Sequence, residues 1–165
     1  MKIKNISHTS LFAALTALGS LIIIPLPFSP VPITLQSLFV LLSGNFLGKK
    51  WGFMSQIIYI FIGVIGLPVF AGGTGGIGIL FGPTSGFILS FPLASYISGI
   101  KINKYLAFTL ATISIYIFGI SGLILITKMG LSTAITSGVT PFLIGDIFKI
   151  FLAVYISERL NSIII

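Results

Sequence analysis

Apolar segments long enough to cross a bilayer follow one another along almost the whole chain, with little charge between them. Few folds accept such a pattern. Only 7% of the 165 residues are charged and 56% are hydrophobic, and the mean hydropathy is +1.19. A soluble domain covers its surface with charge on about a quarter of its residues. Here the bilayer has to act as the solvent. At about 20 residues per span, the length holds up to about six helices and leaves no soluble domain over. The expected fold is all-α: a single domain, residues 1–165, forming an integral membrane bundle of six transmembrane helices.

Prolines, glycines and lysines divide the chain. Helix one is expected over residues 10–24. It stops at Pro25-Leu-Pro-Phe-Ser-Pro-Val-Pro32, where four prolines in eight residues cannot continue a helix. Helix two covers residues 33–48 and is followed by Lys49-Lys50; helix three covers 51–66. A glycine-rich loop, 67–78, leads to helix four, 79–100, with Pro83 near its start and a kink expected at Pro92. Helix five covers 104–126. A loop of Gly, Ser and Thr, 127–138, precedes helix six, 139–157, with Pro141 in its first turn. Lys2 and Lys4 before an apolar run resemble the front of a signal peptide, but no small-residue cleavage site precedes Pro25. Helix one is therefore read as retained.

The charges orient this bundle. With both termini cytoplasmic, Lys2, Lys4, Lys49, Lys50, Lys101, Lys104 and Arg159 fall inside, Lys128 falls outside and Lys149 lies within the membrane. That bias follows the positive-inside rule. The net charge of +7 thus serves topology, and its spacing in small groups does not suit nucleic acid. The same topology gathers the proline-rich loop, the glycine-rich loop and the loop before helix six on the outer side. Asp146 is expected about seven residues into helix six from that side, roughly 10 Å deep at the helical rise. A ligand pocket near the outer face is the implied site.

Asp146 and Lys149 are the most informative residues. A carboxylate and an ammonium in an apolar span are costly unless paired, and such residues are functional by default. Three apart on a helix, they share a face. They either neutralise each other or meet a polar ligand, Asp146 accepting from N–H groups and Lys149 donating to an anion. Thr34 and Gln36, after Pro30-Val-Pro32, need hydrogen-bond partners at that depth. An interhelical bond and a ligand serve equally. The glycines from Gly66 to Gly86 allow close backbone approach to a ligand or form a plain connector. Ala13 and Ala17, four apart on helix one, let two helices approach closely, inside the bundle or against a partner.

Several classes are excluded. With no cysteine there is no disulfide, thiolate metal site or thiol nucleophile. His8 is the single histidine, and Asp146 and Glu158 are the two acids. No carboxylate dyad, zinc-protease helix or histidine base is available for an intramembrane enzyme. No Lys-Ser or Lys-Thr follows the glycines, so there is no P-loop and no ATPase. The chain is expected to be no enzyme and to carry no cofactor or metal.

Four segments carry a family resemblance. Ile24-Pro-Leu-Pro-Phe-Ser-Pro-Val-Pro-Ile-Thr-Leu-Gln36, Gly66-Leu-Pro-Val-Phe-Ala-Gly-Gly73, Gly82-Pro-Thr84 and Gly145-Asp-Ile-Phe-Lys149 resemble the BioY family. Its members are biotin-binding S components of energy-coupling factor (ECF) transporters. The resemblance runs in order through nearly the whole chain, and the proline stretch followed by Thr-Leu-Gln is its most specific part. The loop departs from many relatives, reading Gly73-Thr-Gly75 where they have a longer glycine run.

The resemblance implies a multi-pass subunit of a prokaryotic cell (inner) membrane that captures biotin from outside. Its partners would be a transmembrane coupling subunit and two ATP-binding cassette ATPase subunits. It implies ligand-binding roles for Asp146 and Lys149, with Gln36, Thr34, Gly73 and Thr74 beside them. Phe70 and Phe28 would pack on the bicyclic ring. Ala13 and Ala17 match an Ala-x-x-x-Ala pattern that faces the coupling subunit. Biotin has two ureido N–H donors, a ureido carbonyl and a valerate carboxylate, and which end meets Asp146 or Lys149 is left open. An S component for another vitamin is the alternative.

Overall fold

The computed structural model describes the backbone of residues 3–164 and the side chains of residues 5–160. Lys2 and the side chain of Lys4 lie outside the described residues. Six α-helices make up most of the molecule: α1 (Ile3–Leu21), α2 (Gln36–Val64), α3 (Ser85–Ser98), α4 (Lys104–Thr127), α5 (Leu131–Gly138) and α6 (Leu143–Ile164). Two short strands, β1 (Ile23–Ile24) and β2 (Ile33–Thr34), pair antiparallel and hold the proline-rich loop between them. A 3-10 turn, Ile77–Phe81, precedes α3.

The elements differ from the sequence expectation at several places: helix one runs Ile3–Leu21 and stops before β1, helix two starts at Gln36 after β2, and four further differences have local reasons. Helices two and three are the arms of α2, bent at Gly48 (φ 75°, ψ 170°) with no unstructured linker between them. That positive φ is open to glycine and costly for other residues. Helix four starts later than expected. Gly82 before Pro83 is extended (ψ 172°), as a residue before proline prefers, so the chain makes a 3-10 turn first and α3 begins at Ser85. The expected loop at 127–138 contains α5, whose Ser- and Thr-rich sequence looks like a connector. Helix six begins at Leu143, beyond Pro141, and Asp146 donates its amide to Phe142 O at 2.8 Å. Asp146 therefore stands in the first turn of α6, not two turns into a helix.

The bundle is built on close contacts between small residues. The broadest interfaces are α1 with α2, α2 with α3, and α3 with α4. A Cβ on Gly44 would lie 1.9 Å from Ser95 O, so α2 and α3 touch backbone to backbone there. At this crossing the two hydrogens of Gln56 Nε2 are shared among the hydroxyls of Thr16, Ser43 and Ser55 at 3.1–3.2 Å. Its Oε1 is buried without a partner.

Small hydroxyl residues share the interior with an apolar core, while the outside is apolar as well. The interior holds Thr16, Ser20, Ser43, Ser55, Ser95 and Ser157, all fully buried. The outside of α6 carries Ile144, Ile147, Phe148, Phe151 and Tyr155, more than half exposed. The helix α4 has a window of mean hydropathy 2.1, long and apolar enough to cross a membrane, and α5 with α6 forms a second such unit bent by 49°.

Candidate functional site

Three helices meet at Asp146. Lys149, one turn along α6, places Nζ 2.7 Å from Asp146 Oδ1. Its ammonium also donates to Ser37 Oγ on α2 at 3.0 Å. From α4, the Tyr116 hydroxyl donates to Asp146 Oδ2 at 2.6 Å. Asp146 is 9% exposed and Lys149 6%, and either charge left alone there would cost several kcal/mol. The first-turn position of Asp146 also suits the helix dipole. The cluster is formally neutral, yet it retains hydrogen-bonding capacity: further lone pairs on the carboxylate and one more N–H on the ammonium.

That capacity faces a cavity. A pocket lies beside the pair, its empty space about 550 Å³ when the open mouth is counted. Phe87 and Phe91 of α3 and Phe142 before α6 form apolar walls. Val31 and Pro32 from the proline-rich loop, with Ala71 and Thr84 from the loops around the 3-10 turn, border it elsewhere. The proline-rich loop is fastened over this region by Ser29, whose hydroxyl donates to Ser137 O of α5 at 2.7 Å.

Four of the expected ligand residues line the pocket together: Asp146, Lys149, Gln36 and Thr34. Gln36 is largely engaged within the protein. Its Oε1 accepts from Thr34 at 3.0 Å, and its Nε2 donates to the Tyr59 hydroxyl, which donates in turn to Val69 O at 3.0 Å. The other four stand off the pocket. Phe70 is fully buried, edge-on to Tyr59 at 5.6 Å and against Gly63. Thr74 bonds Ala71 O at 3.1 Å and accepts the Phe70 amide at 2.9 Å, closing a tight turn with Gly73 (φ 70°). This turn presents Ala71 to the pocket and keeps its own side chains away. Phe28 is 67% exposed in the proline-rich loop.

Tyr116, Ser37 and the three phenylalanine walls were not singled out from sequence. A phenol in the middle of the apolar helix α4 needs a partner, and that is the available signal for Tyr116. Ser37 and the phenylalanines carry no comparable mark. On α1, Ala13 is buried and Ala17 half-buried. With Leu18 and Leu21 of α1 and Ile58 and Ile62 of α2, they line an open apolar groove.

The profile of the BioY family matches residues 1–165. The chain belongs to the BioY family. It is 44% identical to the probable biotin transporter BioY of Pyrococcus horikoshii, over 98% of this chain and 99% of that one. It is 35% identical to the biotin transporter BioY of Thermotoga maritima, over 97% of each chain. Among solved structures, the crystal structure of the S component for biotin from an ECF-type ABC transporter superposes with a TM-score of 0.89. That match has 27% identity and covers 97% of this chain and 92% of the other. The helical order described above is therefore the S-component fold, and membership of the BioY family makes the chain a membrane protein.

Proposed function

We propose that this BioY-family chain is the substrate-binding membrane subunit of an ECF-type biotin uptake transporter, capturing biotin from outside for ATP-driven import. The observation that carries the reading is the neutral Asp146–Lys149 pair, buried yet facing an apolar-walled cavity with unused hydrogen-bonding capacity. A ureido group offers donors and an acceptor to such a pair, and Phe87, Phe91 and Phe142 supply the apolar surface for fused rings. Tyr116 and Ser37 orient the pair. Thr34 and Gln36 border the ligand. Phe70, Gly73 and Thr74 act through the turn that sets Ala71, and Phe28 reaches the ligand only if the proline-rich loop moves.

In this reading the single domain crosses a prokaryotic cell (inner) membrane six times. The spans are α1, the two arms of α2, α3, α4 and the α5–α6 unit. Both termini are cytoplasmic and the pocket opens near the outer face, as the charge bias favours. The chain is not an enzyme. A transmembrane coupling subunit and two ATP-binding cassette ATPases supply the energy. The groove around Ala13 and Ala17 receives a helix of the coupling subunit, its small side chains allowing close approach.

Equilibrium binding to the purified chain in detergent tests the ligand, with thiamine and riboflavin as competitors. Saturable binding of biotin alone supports the proposal; displacement by another vitamin would reassign the substrate. Binding that survives unchanged in both Asp146→Asn and Lys149→Ala would remove the pocket from the account. Ala17→Trp should abolish biotin accumulation by the reconstituted transporter while the isolated chain still binds biotin.

A further inference from the structure

A second cavity lies at the opposite end of the bundle, where α3 gives way to α4. Its volume is about 460 Å³, mouth included, and Asn45, Ser98, Gly99, Lys101 and Lys104 line it. The polar neighbours are already engaged: Asn45 Nδ2 donates to Ser157 at 3.0 Å, and the Ser98 hydroxyl donates to Ser95 O at 2.9 Å. The two ammonium groups are not. Neither Lys101 nor Lys104 has a side-chain partner among the described residues, and no carboxylate lines the cavity.

The adjoining rim adds positive charge. A Cβ on Gly99 would lie 2.5 Å from Lys49 N, so the α3–α4 loop is pressed against the bend of α2 that bears Lys49 and Lys50. Lys49 itself lies over the Tyr96 ring, 5.7 Å from its centroid. Beside the cavity, Ile102, Tyr105 and Leu106 are 43%, 46% and 52% exposed. Unpaired cations in a recess with an outward apolar strip next to it match a ligand that is anionic at one end and hydrocarbon at the other. Basic pockets between helices on the cytoplasmic side of a membrane take lipid headgroups.

We infer that this cavity binds the phosphate of an anionic phospholipid, with Lys101 and Lys104 as its ligands and the acyl chains along Ile102, Tyr105 and Leu106. The inference needs the chain to lie in a membrane and is independent of what the Asp146 pocket binds.

Native mass spectrometry of the full chain, released from detergent with phosphatidylglycerol or phosphatidylcholine, tests it. Preferential retention of phosphatidylglycerol is expected. Lys101→Ala and Lys104→Ala should each lower that retention about fivefold. The double Lys→Arg variant should restore it, and thermal melting checks that each variant is folded. Lys49→Ala with Lys50→Ala should leave retention in place, as should excess inorganic phosphate. Equal retention of the two lipids, or undiminished retention in the double alanine variant, would overturn the site. An equal loss on removing Lys49 and Lys50 would make the effect diffuse rim charge. Displacement by inorganic phosphate would make it a free-anion site.

Discussion

Two polar clusters are buried in this bundle, and they have opposite uses. Around Gln56, hydroxyls of α1 and α2 accept from the amide nitrogen at a crossing where glycines bring backbones together. Gln56 borders none of the three cavities described, although its Oε1 is buried without a partner. Around Asp146, every charged group has a partner, yet the cluster opens onto a pocket. Burial of polar groups, or even an unsatisfied one, does not mark a ligand site by itself. Spare hydrogen-bonding capacity facing an apolar-walled space does.

Substitutions in the two clusters should separate accordingly, with biotin affinity and thermal stability measured on each variant. Lys149→Ala leaves a buried carboxylate held by Tyr116 alone. Removing one partner of a buried charged pair costs about 2–5 kcal/mol, so affinity should fall about a hundredfold or more; a change under about threefold would dissolve the contrast. Tyr116→Phe removes one hydrogen bond to a charged group, of about 1.5 kcal/mol or more. Calorimetry should show affinity lowered about tenfold, with the fold intact.

Gln56→Leu should act on the other measurement. Hydrogen bonds between membrane helices average about 0.6 kcal/mol, so the melting temperature should move by a few degrees and biotin affinity by less than about twofold. A large loss of affinity would couple the crossing to the pocket. The smallest effect belongs to Phe28→Ala. An exposed loop aromatic off the pocket should change affinity by less than about twofold, unless the proline-rich loop folds onto the ligand.

The sequence made the Asp146–Lys149 pair legible because a carboxylate and an ammonium in an apolar span are conspicuous whatever the packing. It placed the helices for a similar reason: proline runs and lysine groups interrupt hydrophobic stretches locally. It did not reveal that Phe70 points inward. That depends on a turn closed between Phe70 and Thr74, and on Gly63 leaving room for the ring. Nor did it show α5, because eight residues rich in Ser and Thr read as a connector until they pack against α4.

Composition and period thus determined an apolar helical bundle, its breaks, and one charged pair that demanded a partner. They act through near neighbours along the chain. The tertiary structure alone decided what that pair meets: Tyr116 thirty residues away and Ser37 on another helix. It also chose Phe87, Phe91 and Phe142 over Phe28 and Phe70 as walls. Phenylalanines in an apolar chain are interchangeable by composition, and only the approach of α2, α3 and α4 at their glycines fixes which of them enclose a space.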